Sequence, residues 1–267
     1  MTKRLVCLLL VALTVLGCPM YAAAQENSFC IFVDGQEVEG SNVMLENGVS
    51  YVSAQNVAQA LIPDTTVTWS GGYSEMTLAG TGYTLSAQVG RDYVICNGRY
   101  LYTPGQVMLH PVYDDLLLPV RVLARALGAE VGWDPSGVYL TSVGAPLEGG
   151  DTFYNAGDLE LMARTIRHEA GYESLEGQIA IGNVLLGRVR SSSFPGTLYD
   201  VIYQPNQFPG VQSLAPEERH YIAAKLCLDG AQTVPENAYW FNGVGKSCWA
   251  SKNKSLLCTI GGHAFYG

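Results

Sequence analysis

The sequence predicts an α+β protein: a strand–helix–strand module read twice, then a mainly helical domain closed by a small C-terminal β element. Three observations carry this. Two stretches between Phe29 and Val143 repeat each other at an offset of 63 to 66 residues, the mark of a duplicated supersecondary unit. Apolar residues after Asp158 recur at helical spacing. The chain ends in Gly261-Gly262-His263-Ala264-Phe265-Tyr266, a Gly-rich stretch with aromatics that reads as a strand.

At 267 residues, 48% hydrophobic and 15% charged, the chain is long enough for two ordinary domains and too apolar for disorder. Lys and Arg number 15 against 24 Asp and Glu, a net charge of -9. Such a molecule lacks the positive field that phosphate backbones select, which excludes nucleic acid as a partner.

Residues 1–24 open with Lys3 and Arg4, run apolar from Leu5 to Leu16 and end at Ala22-Ala23-Ala24. This is a secretory signal pattern, too short for a good membrane span. The expectation is a secreted or cell-envelope protein with no stable membrane span after cleavage. Val15-Leu16-Gly17-Cys18 offers a rival, a lipobox that would anchor the chain at Cys18.

Residues 25–143 form the first domain. Its first copy has Phe32-Val33-Asp34-Gly35, the helical stretch Val49 to Leu61, and Val67-Thr68-Trp69. The second has Ile95-Cys96-Asn97-Gly98, Leu116 to Leu127, and Val131-Gly132-Trp133. Asp-Gly and Asn-Gly between β-type residues are hairpin signals. Arg121 and Arg125 fall at helical spacing and read as a solvated face. Residues 144–152 carry Gly and Pro without periodicity and read as a linker, which leaves residues 153–267 as the second domain.

There Leu159, Met162, Ala163, Ile166 and Ala170 draw one apolar stripe. Glu169, three residues after Ile166 and seven after Met162, falls inside it. Two readings stand at this point. Glu169 sits at the helix end, solvated or paired with Arg164, Arg167 or Arg188; or desolvation raises its pKa and keeps it protonated enough to serve as a general acid. Gly171 marks the helix stop.

The first domain, through Leu118-Pro119-Val120-Arg121, Ala126-Leu127-Gly128-Ala129 and Trp133-Asp134, resembles the copper amine oxidase N-terminal-like, or stalk, domain. The resemblance implies a spacer or wall-adhesion module and no copper. In the second, Leu161 to Val189, then Val201 to Phe208, Tyr239-Trp240-Phe241-Asn242 and Ile260 to Tyr266 are similar to the spore cortex-lytic, cell-wall hydrolase family, in family order. That resemblance implies a lysozyme-like or lytic transglycosylase-like fold acting on peptidoglycan glycan strands in the cell wall. The family's Ala-Glu-Ala-x-Gly-Glu stands here as His168-Glu169-Ala170-Gly171-Tyr172-Glu173, so Glu169 takes the place of the catalytic acid. Its glycine has moved, His168 replaces the first alanine, and Asn242-Gly243 stands for the usual Asn-Pro.

The substrate-binding residues expected are Glu173, Gln204, Gln207, Phe208, Tyr239, Phe241, Asn242 and His263. Each has a plainer reading. Glu173 can be structural, Gln204 and Gln207 can brace their own turn, Tyr239 to Phe241 can be core strand, and His263 can be a structural histidine. His168, next to Glu169 in sequence, reads as solvated on another face. After signal removal five cysteines remain, an odd number, and Cys248 with Cys258 is the expected disulfide because it closes a short loop. No cofactor and no metal are expected, since neither Cys-x-x-Cys nor His-x-x-x-His occurs. The alternatives are a catalytically inactive cell-wall-binding or scaffold protein, a peptidase using Cys227 and His263, or an amidase recruiting His168, His220 and His263. Because the repeat holds no catalytic constellation, residues 151–267 are expected to act alone.

Overall fold

The computed structural model describes residues 29–205 and 207–267. The signal sequence, its cleavage site and Cys18 lie outside the described residues, as does Asn206. No helix among the described residues is long and apolar enough to cross a membrane.

The chain opens with β1 (Phe29–Val33), β2 (Gln36–Glu46), β3 (Val49–Ser53) and α1 (Ala54–Leu61). Next come β4 (Thr66–Ser70), β5 (Glu75–Gly80), β6 (Tyr83–Gln88), β7 (Tyr93–Cys96) and β8 (Arg99–Tyr102), paired in chain order as one antiparallel meander. β9 (Met108–Leu109), β10 (Leu116–Pro119), α2 (Val120–Leu127), β11 (Ala129–Asp134) and β12 (Gly137–Ser142) finish this region. Its other sheet runs β11-β12-β1-β2-β3-β10-β9, with β1 parallel to β12. Asp34-Gly35 and Asn97-Gly98 turn the hairpins β1–β2 and β7–β8 with positive φ at all four residues, the conformation that right-twisted strands require of a two-residue turn. Side chains of both sheets and both helices close on one core around Ile31, Val52, Leu78, Leu85, Leu118 and Leu123.

Residues 144–152, expected to be a bare linker, are held in place. Leu147 N–H donates to Ala126 O and Gly150 N–H to Asn97 O, while the Asn97 amide donates to Leu147 O at 2.7 Å. A helical turn, α3 (Gly150–Phe153), already begins inside the expected linker. Backbone groups lying against a folded surface must be paired, and Ala126 and Asn97 pair these.

α4 (Ala156–Ala170), α5 (Leu175–Arg190), α6 (Leu198–Ile202) and α7 (Glu218–Leu228) follow, then β13 (Trp240–Gly243), α8 (Trp249–Asn253), β14 (Leu256–Ile260) and β15 (His263–Tyr266). α4, α5 and α7 pack together around Met162, Ile166, Ile179, Leu185, Ala224 and Cys227. Asn155 and Ser174 cap α4 and α5 by accepting N–H bonds from Asp158 and Gly177. The three strands form an antiparallel sheet in the order β13-β15-β14, which leaves β13 at an edge.

The two regions share a buried seam. Tyr93, Tyr100 and Tyr102 of the meander pack on the helical core. At the C-terminal end of α7 the Asp229 carboxylate, 1% exposed, receives Arg99 at 2.5 Å and Arg125 at 3.1 Å, and the Tyr154 hydroxyl donates to its other oxygen. The Arg99 guanidinium also lies 3.4 Å above the Phe153 ring. Arg125, exposed as its spacing suggested, still reaches the seam from its edge. Its Nη1 donates to Asp229 O at 2.8 Å. Residues 151–267, expected to act alone, would uncover this seam if separated.

Cys248 and Cys258 do not form the expected bridge; both are free thiols. Successive residues of a strand face opposite sides of a sheet. Cys258 is paired with Phe265 and shares its face against Ala180, Ile181 and Val184, whereas Cys248 packs with Ala250, Ala264 and Tyr266 on the other face.

Candidate active site

A cleft of about 570 Å³ opens where the end of α4 meets the edge strand β13. Its lining includes Glu169, Arg188, Gln207, Phe208, Phe241 and His263 on one side, and Trp240, Asn242, Cys248, Trp249 and Ala250 on the other. It bends around β13 because Phe241 and His263 lie on the sheet face turned to the helices, while Trp240 and Asn242 point the opposite way.

Glu169 is carried into the cleft by the last turn of α4, whose apolar stripe is buried through Met162, Ile166 and Ala170. Its side chain is 22% exposed. Burial pushes its carboxyl up from the usual range, and His168, with Nε2 at 3.7 Å, pulls weakly the other way. The three arginines offered by the sequence as partners are engaged elsewhere: Arg164 with Glu160, Arg167 with Glu217, and Arg188 with neutral oxygens. His168, expected to be solvated, is half-buried beside Glu169.

The helix end is fixed from below. His220, fully buried, accepts the Glu217 N–H at Nδ1, so its Nε2–H donates to Gly171 O at 3.2 Å. Nothing in the sequence marked this histidine as a support for the α4 terminus.

Glu173 does not line the cleft. Both of its oxygens accept the Gly262 N–H at 3.2 Å, and His263 Nδ1 lies 3.7 Å away. The carboxylate fills the space against the β14–β15 turn, where a side chain on Gly261, at φ +53°, or on Gly262 would collide with it. Of its two readings, these contacts fit the structural one, a clamp on that turn beneath His263. Gln204 accepts the Gln207 N–H with its own backbone carbonyl and stays outside the lining. Tyr239 packs against Phe194 and Trp240 and also stays outside.

Gln207, Phe208, Phe241, Asn242 and His263 are brought together with Glu169. Phe241 packs edge-on against His263 at 5.6 Å and beside Phe208 at 6.4 Å. Burial lowers the pKa of His263, with Glu173 opposing, so the ring is neutral at neutral pH. Asn242 donates to Lys246 O at 3.0 Å and so shapes the loop after β13.

The sequence reading missed Arg188 and Trp249 as cleft residues. Arg188 is 4% exposed, donates from Nε to Tyr239 O at 2.8 Å and from Nη1 to Gln207 Oε1 at 2.9 Å, and stacks near Phe194 and Phe208. Its position, four after Val184 and seven after Ile181, puts a charge in an apolar stripe. The signal that exposed Glu169 could have found it. Among the described residues no group of three His, Cys, Asp or Glu is arranged to hold a metal ion. His168, His220 and His263 serve three separate contacts, and Cys227 lies buried against Ile179 O, away from His263.

Residues 172–266 match the cell wall hydrolase family, and residues 32–140 match the copper amine oxidase N-terminal domain. The first span begins three residues beyond Glu169. The spore cortex-lytic enzyme of Bacillus cereus is 32% identical over 119 residues, 42% of this chain and 45% of that protein; the chain thus spans less than half of that relative's length. The cell wall hydrolase CwlJ of Bacillus subtilis is 31% identical over 121 residues, 41% of this chain and 84% of that protein. Among solved structures, the catalytic domain of the germination-specific lytic transglycosylase SleB of Bacillus anthracis is similar, at 28% identity over 43% of this chain and 97% of that one, with a TM-score of 0.40. With most of CwlJ covered and the family's own pattern running from Tyr172 to Tyr266, the chain belongs to the cell wall hydrolase family.

Proposed function

We propose that the protein cleaves the glycan strands of peptidoglycan at the bond between N-acetylmuramic acid and N-acetylglucosamine, as a lytic transglycosylase with Glu169 as the single acid and base. The observation that carries this reading is a desolvated carboxyl in a cleft with no second carboxylate among its described lining residues. Glu169, whose carboxyl burial pushes up from the usual range, gives its proton to the glycosidic oxygen. The bond breaks toward an oxocarbenium-like centre, and the resulting carboxylate takes the proton of the muramyl 6-hydroxyl as that oxygen closes on C1. The products are a free N-acetylglucosamine hydroxyl and an anhydro-muramyl end, with no water consumed.

Hydrolysis would need a second carboxylate to activate water or to act as nucleophile. Glu173, the nearest acid along the chain, is committed to Gly262. In the same reading residues 1–24 direct secretion into the cell envelope, and the N-terminal domain holds the cleft at the wall as a stalk. Mass spectrometry of the muropeptides released by the full chain tests the chemistry. Anhydro-muramyl ends that vanish in Glu169→Gln are expected. Reducing ends would replace transglycosylation by hydrolysis, and undiminished release by Glu169→Gln would remove Glu169 from the mechanism.

A further inference from the structure

Among the described residues, Arg188 is a buried cation without a counter-charge. Its Nε and Nη1 are held by neutral oxygens, and among the described residues no carboxylate pairs with it and no protein acceptor takes Nη2. Arg99, the other buried arginine, has Asp229. Burial draws the Arg188 guanidinium down to about 10, still protonated at neutral pH. Keeping an unpaired cation out of water is costly unless an acceptor arrives from outside.

A second observation points the same way. The chain is acidic overall, yet from Asn237 to Gly267 it contains Lys246, Lys252 and Lys254 and no Asp or Glu. None of these lysines forms a salt bridge among the described residues. The Lys254 ammonium lies 4.3 Å over the Trp240 ring and 5.8 Å over that of Trp249, both of which line the cleft. Phe194 links the ends: 5.2 Å from the Arg188 guanidinium and 5.8 Å from Trp240. Two cations thus stand at either end of one aromatic run. Resting an ammonium on an indole face fixes it without neutralising it.

We propose that this arm of the cleft reads an anionic substituent of the glycan, the carboxylates of the peptide carried by the muramyl residue, with Arg188 donating from the floor and Lys254 from the rim. The inference rests on the glycan reading of the cleft and adds which part of the substrate selects the binding register. Phosphate of an anionic wall polymer would present the same charge, so the test separates the two.

The full chain carrying Glu169→Gln is titrated calorimetrically with peptide-bearing strands and with strands stripped of peptide. Tighter binding of the peptide-bearing strands, by about tenfold at low salt and shrinking as salt screens the charges, is expected. Lys254→Ala, at the rim, should reduce that preference several-fold with stripped-strand affinity unchanged; Arg188→Gln should remove the rest, and Arg188→Lys should restore part of it. Equal affinity for both strands overturns the proposal, as does a preference that survives in both Lys254→Ala and Arg188→Gln. Competition by soluble poly(glycerol phosphate) with no effect of the peptide assigns the site to the polymer and likewise overturns it. Failure of Glu169 as the acid would appear in turnover and leave these affinities unchanged, so the two readings fail separately.

Discussion

Glu169 and Asp229 are both carboxylates taken out of water at the C-terminal end of a helix, and they are treated in opposite ways. Asp229, 1% exposed, is surrounded by Arg99, Arg125 and the Tyr154 hydroxyl. Glu169, 22% exposed, has among the described residues only the ring of His168, at 3.7 Å. The first is a buried charge whose partners make removal costly. The second is a half-buried carboxyl that desolvation pushes up, as the proposed acid role requires. Burial alone does not distinguish structure from chemistry; the company of cations does.

The largest effect expected from this contrast is on turnover. Glu169→Gln keeps volume and removes the proton, and should lower glycan cleavage by on the order of 10² to 10⁴-fold while circular dichroism and strand binding hold. A comparable loss in Asp229→Asn at equal folding would erase the distinction. Next comes stability: Asp229→Ala strands two guanidiniums at the seam and should cost about 3 to 5 kcal/mol in urea unfolding, with cleavage per folded molecule retained. A cost near zero would show that the seam is an incidental contact.

The third expectation concerns pH. The folded state raises the Glu169 pKa, so that group's contribution is fully present below its unfolded value and is lost as pH rises through the folded one. Glu169→Gln should therefore melt higher than the parent above that range and level with it below. Cleavage by the parent should fall over the same rise, because the acid must be protonated. Equal melting at all pH values would mean that Glu169 is solvated. The smallest effect belongs to Arg125→Ala. Its side chain is 46% exposed, so thermal unfolding should register under about 1 kcal/mol, sharpening the claim that Arg99 holds Asp229.

What was legible in the sequence follows from what periodicity can encode. Glu169 was found because a charge inside an apolar helical stripe is visible in one dimension. Arg188 obeyed the same rule on α5 and was passed over as a mere partner for Glu169. The two readings of Glu173, structural or subsite, stayed open because its contact with Gly262 lies 89 residues away, and Asp229 was not singled out because Arg99 lies 130 residues earlier. The Cys248–Cys258 pairing failed because loop length measures reach along the chain, whereas Ala264 and Phe265 place the two thiols on opposite sheet faces. The helix carrying the Leu159 to Ala170 stripe and stopping at Gly171 was legible, since both signals are local.

The seam at Asp229 also limits how such a protein can be recombined. A hydrolase joined to a stalk by a bare tether could exchange that stalk for any other wall module. Here the donor must bring a guanidinium placed as Arg99 is, an aromatic surface equivalent to Tyr93, Tyr100 and Tyr102, and a connector that delivers Tyr154 to the same carboxylate. Shuffling at residue 150 would leave an acid with no partner inside the joint. The unit that can be inherited or engineered intact is therefore the pair of domains together.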